Sequence, residues 1–235
     1  MAHPTASIST ELTLMADGGL NLVIAGDSNG TDDYSGKDPW IGLNLGQPYE
    51  LDNNSVSGIT LDTQANANLS ANLADYKVGA DNVLIVQAGA NDLRADLPAA
   101  SVYADAMKLV AEAEAKGFDT VIATELPKSP TKGNWDASDE VERIAYNKLV
   151  RGNKAGTDAV ADVAADPVMG AASAPDNETL YVDGVHVSAS ANTQYLQPIY
   201  SNAILKALNA APTPSRSRVS PSLRRTLARA RTPLQ

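Results

Sequence analysis

Two short stretches of the chain hold residue types that could do nucleophilic chemistry. One is Gly26-Asp27-Ser28, at the end of the apolar run Leu20-Asn21-Leu22-Val23-Ile24-Ala25; the other is Asp183-Gly184-Val185-His186. A serine hydroxyl is a poor nucleophile near neutral pH until a base takes its proton, and the base needs an acid to orient it. An acid three residues ahead of an imidazole can reach back to one ring nitrogen while the other faces outward. The chain has one other histidine, His3, in a lead-in without structural signal. The competing reading of Gly-Asp-Ser is an Asp-Ser turn that does no more than end a strand.

The elements around these stretches are legible from periodicity. Leu20 to Ala25 is short, apolar and bounded by glycines, so it reads as a buried strand, with Gly26 free to turn sharply and lift Ser28 off the sheet edge. Thr31 to Glu50 is rich in Gly, Asp, Pro and Asn without periodicity, a loop length that usually serves function. Trp40 within it is read as a packing anchor, with a pocket wall as the alternative. A second candidate strand lies in Asn53 to Thr60, ahead of a helix over Thr63 to Lys77. Asn82 to Gln87 reads as a strand that ends at Gly89-Ala90-Asn91-Asp92. A helix is expected from Pro98 to Lys116 with Gly117 as its stop, then a strand over Asp119 to Thr124. A helix from about Ser138 to Arg151 would be capped at Ser138 and carry Asp139 and Glu140 at its positive end. Asp158 to Val163 reads as a weaker last strand, Asp176 to Ser188 as a loop, and Ala189 to Asn209 as a final helix capped by Ser188. Strands alternating with helices imply parallel pairing through right-handed crossovers, hence a three-layer α/β/α sandwich around a mostly parallel, roughly five-stranded, flavodoxin-like sheet. In that arrangement Ser28, Gly58, Asn91 and His186 all fall on one rim of the sheet, where open α/β sheets bind ligands.

Composition narrows the classes further. The 235 residues suffice for one well-buried domain, and no apolar run approaches the ~18 residues of a membrane span. With no cysteine there is no disulfide, thiolate metal site or cysteine nucleophile. The N-terminus lacks a basic residue before an apolar block, so no secretion signal is expected. The formal charge of −10 is uneven: six arginines lie between Arg216 and Arg231, leaving the rest with 12 basic residues against 28 acidic ones. An acidic body is a poor partner for nucleic acid or anionic membrane. The organisation expected is a lead-in over 1–19, one catalytic domain over 20–211, and a basic Pro/Arg/Ser-rich tail over 212–235.

Taken together, four blocks resemble the SGNH (GDSL-type) hydrolase family over roughly residues 20 to 209. They are Gly26-Asp27-Ser28, the loop Asn54-Ser55-Val56-Ser57-Gly58-Ile59-Thr60, the G-x-N-D of Gly89-Ala90-Asn91-Asp92, and the D-x-x-H of Asp183 to His186. The resemblance implies that Ser28 is the nucleophile, His186 the base and Asp183 its orienting acid. It also implies an oxyanion hole made by the backbone N–H groups of Ser28 and Gly58 and the side-chain amide of Asn91. Asp27 and Asp92 are expected to bond backbone N–H groups in tight turns rather than act as acids. No metal and no cofactor are implied. The chain departs from the family at Gly30, where Ser or Thr is usual, and at Ile59, often an aspartate in relatives.

The expected activity is hydrolysis of an acyl ester through an acyl-enzyme, with a short acyl group such as O-acetyl on a carbohydrate favoured. A lysophospholipase or thioesterase is the enzymatic alternative. A rival from another class is a structural or binding subunit that uses this fold within a larger particle such as a phage virion, with or without esterase activity. The expected location is cytoplasmic or virion-associated. The basic tail is expected to dock on an acidic surface, in a homo-oligomer or larger assembly, rather than on nucleic acid or membrane.

Overall fold

The computed structural model describes residues 18–153 and 156–210. The lead-in, apart from its last residues, and the basic tail both lie outside the described residues. Five strands form one parallel sheet: β1 (Leu20–Gly26), β2 (Tyr49–Asn53), β3 (Asp81–Gln87), β4 (Asp119–Ala123) and β5 (Ala159–Ala161). Their order is β2-β1-β3-β4-β5. The chain steps outward from β1 to β2 and then crosses back to β3 on the other side of β1. The strand order therefore reverses between β1 and β3, and Ser28 leaves the sheet at that switch point, where neighbouring loops diverge and open a crevice.

Alternation along β1 builds the two layers. Leu20, Leu22 and Ile24 face a core shared with Trp40, Tyr200 and Ile204, while Val23 and Ala25 face a second core with Val102, Leu109 and Tyr146. Every residue of β1 is buried, as a central parallel strand covered on both faces requires. One face carries α1 (Leu61–Ala65), α2 (Leu69–Ala74), α3 (Ala90–Arg94), α4 (Ala99–Lys116) and α5 (Ala137–Gly152); the other carries α6 (Ala189–Ala191) and α7 (Gln197–Leu208) with the loop before β2. Gly117 ends α4 in the left-handed region at φ +110°, as expected of a helix stop.

The structure corrects the sequence expectations at four elements. The second strand lies at Tyr49–Asn53, ahead of its expected place, and Asn54 to Thr60 forms the turn that follows it. The expected helix over Thr63 to Lys77 is two short helices, because the Asn66 side chain donates to the carbonyl of Asp62 and competes with the helical ladder. Asp136, not Ser138, caps α5: its carboxylate accepts from the backbone of Ser138 and Asp139, and Asp139 returns a bond to Asp136 N. The final helix is interrupted by a π-helical turn over Asn192–Leu196, although Ser188 caps its start as expected.

The Gly30 departure has a packing cause. A Cβ on Gly30 would run into the Oγ and Cβ of Ser55, which occupy the space that a side chain at position 30 would need. Gly30→Ala should therefore destabilise the protein by about 1–3 kcal/mol through overpacking. Adding Ser55→Gly should recover most of the loss in urea unfolding; an undiminished cost in the double variant would show that Ser55 is not the obstacle.

Candidate active site

The structure brings together the three residues expected to act on a proton. His186 Nε2 lies 2.9 Å from Ser28 Oγ, and His186 Nδ1 lies 2.6 Å from Asp183 Oδ2. Ser28 opens a single 3₁₀ turn, Ser28–Gly30, whose cap is Asp27; the Asp27 carboxylate accepts from Asn29 N at 2.9 Å. Asp183 does two jobs. Its Oδ1 accepts from the backbone N–H groups of Val185 (2.9 Å) and His186 (2.8 Å), and Oδ2 faces the ring. Burial pushes the Asp183 carboxyl up, but the hydrogen bonds from the His186 backbone, the His186 ring and Val185 outweigh it and hold it below the usual carboxylate range. The residue is therefore an anion across the whole neutral range, as the orienting partner of an imidazole must be.

Asn29, which sequence reasoning passed over, joins the two distant segments. Its amide donates to Val185 O at 3.4 Å and its carbonyl accepts from Val187 N at 3.1 Å, so the residue after the serine grips both neighbours of the histidine. Tyr34, from the loop before β2, stacks on the imidazole with ring centroids 3.4 Å apart and planes 3° from parallel. Neither residue has a sequence signal of its own; the one available clue was the position of Asn29 beside Ser28.

The expected oxyanion donors are built from the turn after β2 and the start of α3. Asn54 N and Val56 N donate to Ile24 O and Gly26 O, which carries this turn along the end of β1. Gly58 sits in it at φ +79°, a conformation that favours glycine. Asn91 Nδ2 donates to Ile59 O at 2.9 Å, so the two donor positions are tied to one another; an amide nitrogen carries two hydrogens, and this bond uses one. Among the described residues no hydrogen bond links Gly58 or Asn91 to Ser28. Asp92 is structural as expected: both carboxylate oxygens accept from Leu61 N at the head of α1.

A cavity of about 30 Å³ opens beside Ser28 and His186 and runs between the sheet end and the π-helical turn, which lends it Asn192 and Leu196. Its walls are mixed. Trp40, Val163 and Tyr200 are apolar; Glu125 and Lys128, from the loop after β4, are charged. Trp40 is thus both things the sequence left open, a buried anchor whose indole donates to Gly30 O and a wall of this pocket. Glu125 and Lys128 are nearly inaccessible, with side chains 4 % and 2 % exposed and 3.7 Å between Nζ and Oε2. Burial pushes the Glu125 carboxyl up against the opposing pull of Lys128 and Arg143, and burial likewise pushes Asp27 up against Lys128. A second, open groove of about 500 Å³ adjoins at Thr31 and is lined by Asp32, Asp33, Asp38, Asn53 and Ser57. Among the described residues no cluster of His, Cys, Asp or Glu could hold a metal, and no helix is long and apolar enough to cross a membrane.

Comparisons with known proteins agree with this architecture. The crystal structure of TesA superposes with a TM-score of 0.60 at 20 % identity, covering 79 % of this chain and 99 % of that one. A psychrotrophic esterase, EstA from Pseudoalteromonas sp., gives 0.57 at 20 % identity over 81 % of this chain and 99 % of its own. A carbohydrate esterase family 3 structure from Talaromyces cellulolyticus gives 0.59 at 16 % identity, covering 80 % and 98 %. No curated protein sequence matches the chain. At these identities the superpositions speak to the fold alone. The sequence itself matches the GDSL-like Lipase/Acylhydrolase family over residues 24–193, a span that holds the serine, the acid and the histidine, and the chain belongs to that family.

Proposed function

We propose that the protein is a metal-independent serine esterase that removes a short acyl group through an acyl-enzyme. The observation that carries this reading is the unbroken relay from Ser28 Oγ through the imidazole to the Asp183 carboxylate, at 2.9 and 2.6 Å. With Nδ1–H donated to Asp183, the opposite nitrogen is left as the base facing the hydroxyl. Ser28 then attacks the ester carbonyl while His186 takes its proton. The imidazolium delivers that proton to the leaving alkoxide, and a water activated in the same way releases the acid. The developing oxyanion is assigned to the backbone N–H groups of Ser28 and Gly58 and to the second amide hydrogen of Asn91.

The bulky walls of the small cavity, Trp40, Leu196 and Tyr200, favour a small acyl group. The alcohol side would use the open groove, whose carboxylates, amide and hydroxyls suit a polyhydroxylated alcohol and repel an anionic one. An O-acylated carbohydrate meets both conditions.

Ser28→Ala should abolish hydrolysis of 4-nitrophenyl acetate without lowering Tm; retained turnover in a folded variant would refute the assignment. Asn91→Ala should lower kcat by about 10²-fold with little change in KM, since it removes a donor to the oxyanion. A change confined to KM would make Asn91 a substrate contact instead. Because the Asp183 carboxyl is held below the usual carboxylate range, its protonation should not limit activity anywhere in the neutral range. His186→Ala should abolish turnover; a folded His186→Ala variant with wild-type kcat/KM would remove His186 as the base. Tyr34→Ala should lower kcat by releasing the ring, while Tyr34→Phe, which keeps the stacked face, should retain wild-type rates. Equal losses in both would assign the effect to the hydroxyl.

A further inference from the structure

Helix α5 is apolar on two sides. Its inner side packs Tyr146 and Val150 against Ile122 and Val160 of the sheet, as a covering helix must. Its outer side carries Val141, Ile144, Ala145 and Leu149 at i, i+3, i+4 and i+8, the spacing of a second apolar stripe. Yet Val141 is 63 % exposed, Ile144 56 % and Leu149 37 %. Single exposed apolar residues are ordinary, whereas a row of them along one helix marks a contact surface. Lys148 is the one charge within the row. Glu140 and Glu142 border it on either side, held there by Arg143 Nε and by Ala99 N, which donate to them at 2.7 and 2.6 Å.

One segment of this chain fits such a row. The basic tail lies outside the described residues, but its sequence has a pattern of its own. Leu223, Leu227 and Ala230 recur at i, i+4 and i+7, while Arg224, Arg225, Arg229 and Arg231 fall beside or opposite them. Ser220-Pro221 ahead of them is a helix start and Pro233 a stop. A helix over 221–231 would be about 16 Å long, against about 12 Å from Val141 to Leu149. So short a helix is marginal alone in water and needs an apolar surface to form on. The surface is within reach. Ala210, the last described residue, follows α7, which covers the β5 end of the sheet from the face opposite α5: Ala203 and Ala207 share a core with Ala159 and Ala161. At about 10 Å a layer, the two helix layers lie about 20 Å apart. Residues 211–220 span up to about 33 Å, and β5 is a three-residue edge strand that they can pass around. Charge acts in the same direction, since the six tail arginines face a body with 12 basic residues against 28 acidic ones.

We propose that residues 221–231 dock as a basic amphipathic helix on α5 of the same chain, seating Leu223 and Leu227 on Val141, Ile144 and Leu149 with arginines toward Glu140 and Glu142. The tail thereby covers an apolar row that would otherwise draw one copy of the chain to another.

The chain has no cysteine, so an introduced pair of thiols has no competitor. Two full-length double variants are oxidised at low protein concentration: Ile144→Cys/Leu227→Cys and, as a control, Val78→Cys/Leu227→Cys, where Val78 is 95 % exposed between α2 and β3. From Ala210 to Leu227 the chain spans up to about 55 Å, so length alone does not decide between the two sites. A seated helix raises the local concentration of the thiols at α5. The first pair should therefore close within one chain at least about tenfold faster than the control, read as a fast-migrating monomer on a non-reducing gel, and this advantage should shrink at high salt. Equal rates in the two pairs would leave the tail without a seat on α5, and a first pair that closes only between chains would make the occupant a second copy; either result overturns the proposal. Hydrogen exchange supplies a reading free of cysteine. In full-length Leu223→Glu/Leu227→Glu, segment 137–152 should exchange at least about threefold faster than in the wild type, and unchanged exchange there would overturn the proposal as well.

Discussion

A histidine carried by a loop has to be held against a serine carried by a strand end, 158 residues away in the chain. Everything else in the site depends on that junction. Loops have no ladder of their own to fix them, so the segment around His186 is tied residue by residue. Asp183 folds it into a tight turn by accepting two backbone N–H groups. A single antiparallel bridge, Tyr181 to Val187, closes its base. Asn29 then clamps Val185 and Val187 from the serine side, and Ser129 holds Gly184 from the loop after β4. The imidazole is thus oriented by backbone contacts on three sides before substrate arrives, which is the preorganisation that efficient proton transfer needs.

The second constraint is electrostatic. Asp27 and Glu125 are both buried close to Ser28, and burial alone would neutralise them. Lys128 and Arg143 supply the opposing charge, and Arg143 is itself held by Glu140 through a two-pronged pair. Such a cluster is weak evidence for stability, since apolar residues of similar volume would do as well or better. It is better understood as fixing local geometry: the Asp27 carboxylate organises the serine turn, and Arg143 with Asn147 holds the peptide groups of Glu125 at the end of β4.

What the sequence revealed and concealed follows from the range of the interactions. Ser28, Asp183 and His186 were legible because strand ends and a four-residue turn are local features, and the chain has only two histidines. The buried strands were legible for the same reason. β2 was not, since it lies at the sheet edge with every residue half-exposed, and Tyr49-Glu50-Leu51-Asp52-Asn53 offers neither an apolar run nor a glycine boundary. Asp136 lost to Ser138 as the expected cap because both are good cap residues two positions apart, and only the reciprocal bond from Asp139 decides between them. Asn29, Tyr34 and Glu125 act through partners 18 to 158 residues away, and no local pattern encodes such pairings.

The loop between Thr31 and Pro48 shows how a segment without regular structure can still be a rigid part of a site. Gln197 of α7 donates to Pro39 O and Ile41 O, Tyr49 Oη donates to Trp40 O, and Ser201 Oγ accepts from Asn44 N. These bonds, with Trp40 packed edge-on against Tyr200, replace the ladder that a helix or strand would provide. The free end of the loop then touches both halves of the site at once: Asp33 accepts from Ser57, next to Gly58, while Tyr34 covers His186. A change in the loop that moved Asp33 would shift the turn bearing Gly58 and the cover on the imidazole together. Position and coverage in this fold are therefore coupled through a loop whose own anchors, Trp40 and Tyr200, belong to the hydrophobic core and also wall the cavity beside Ser28.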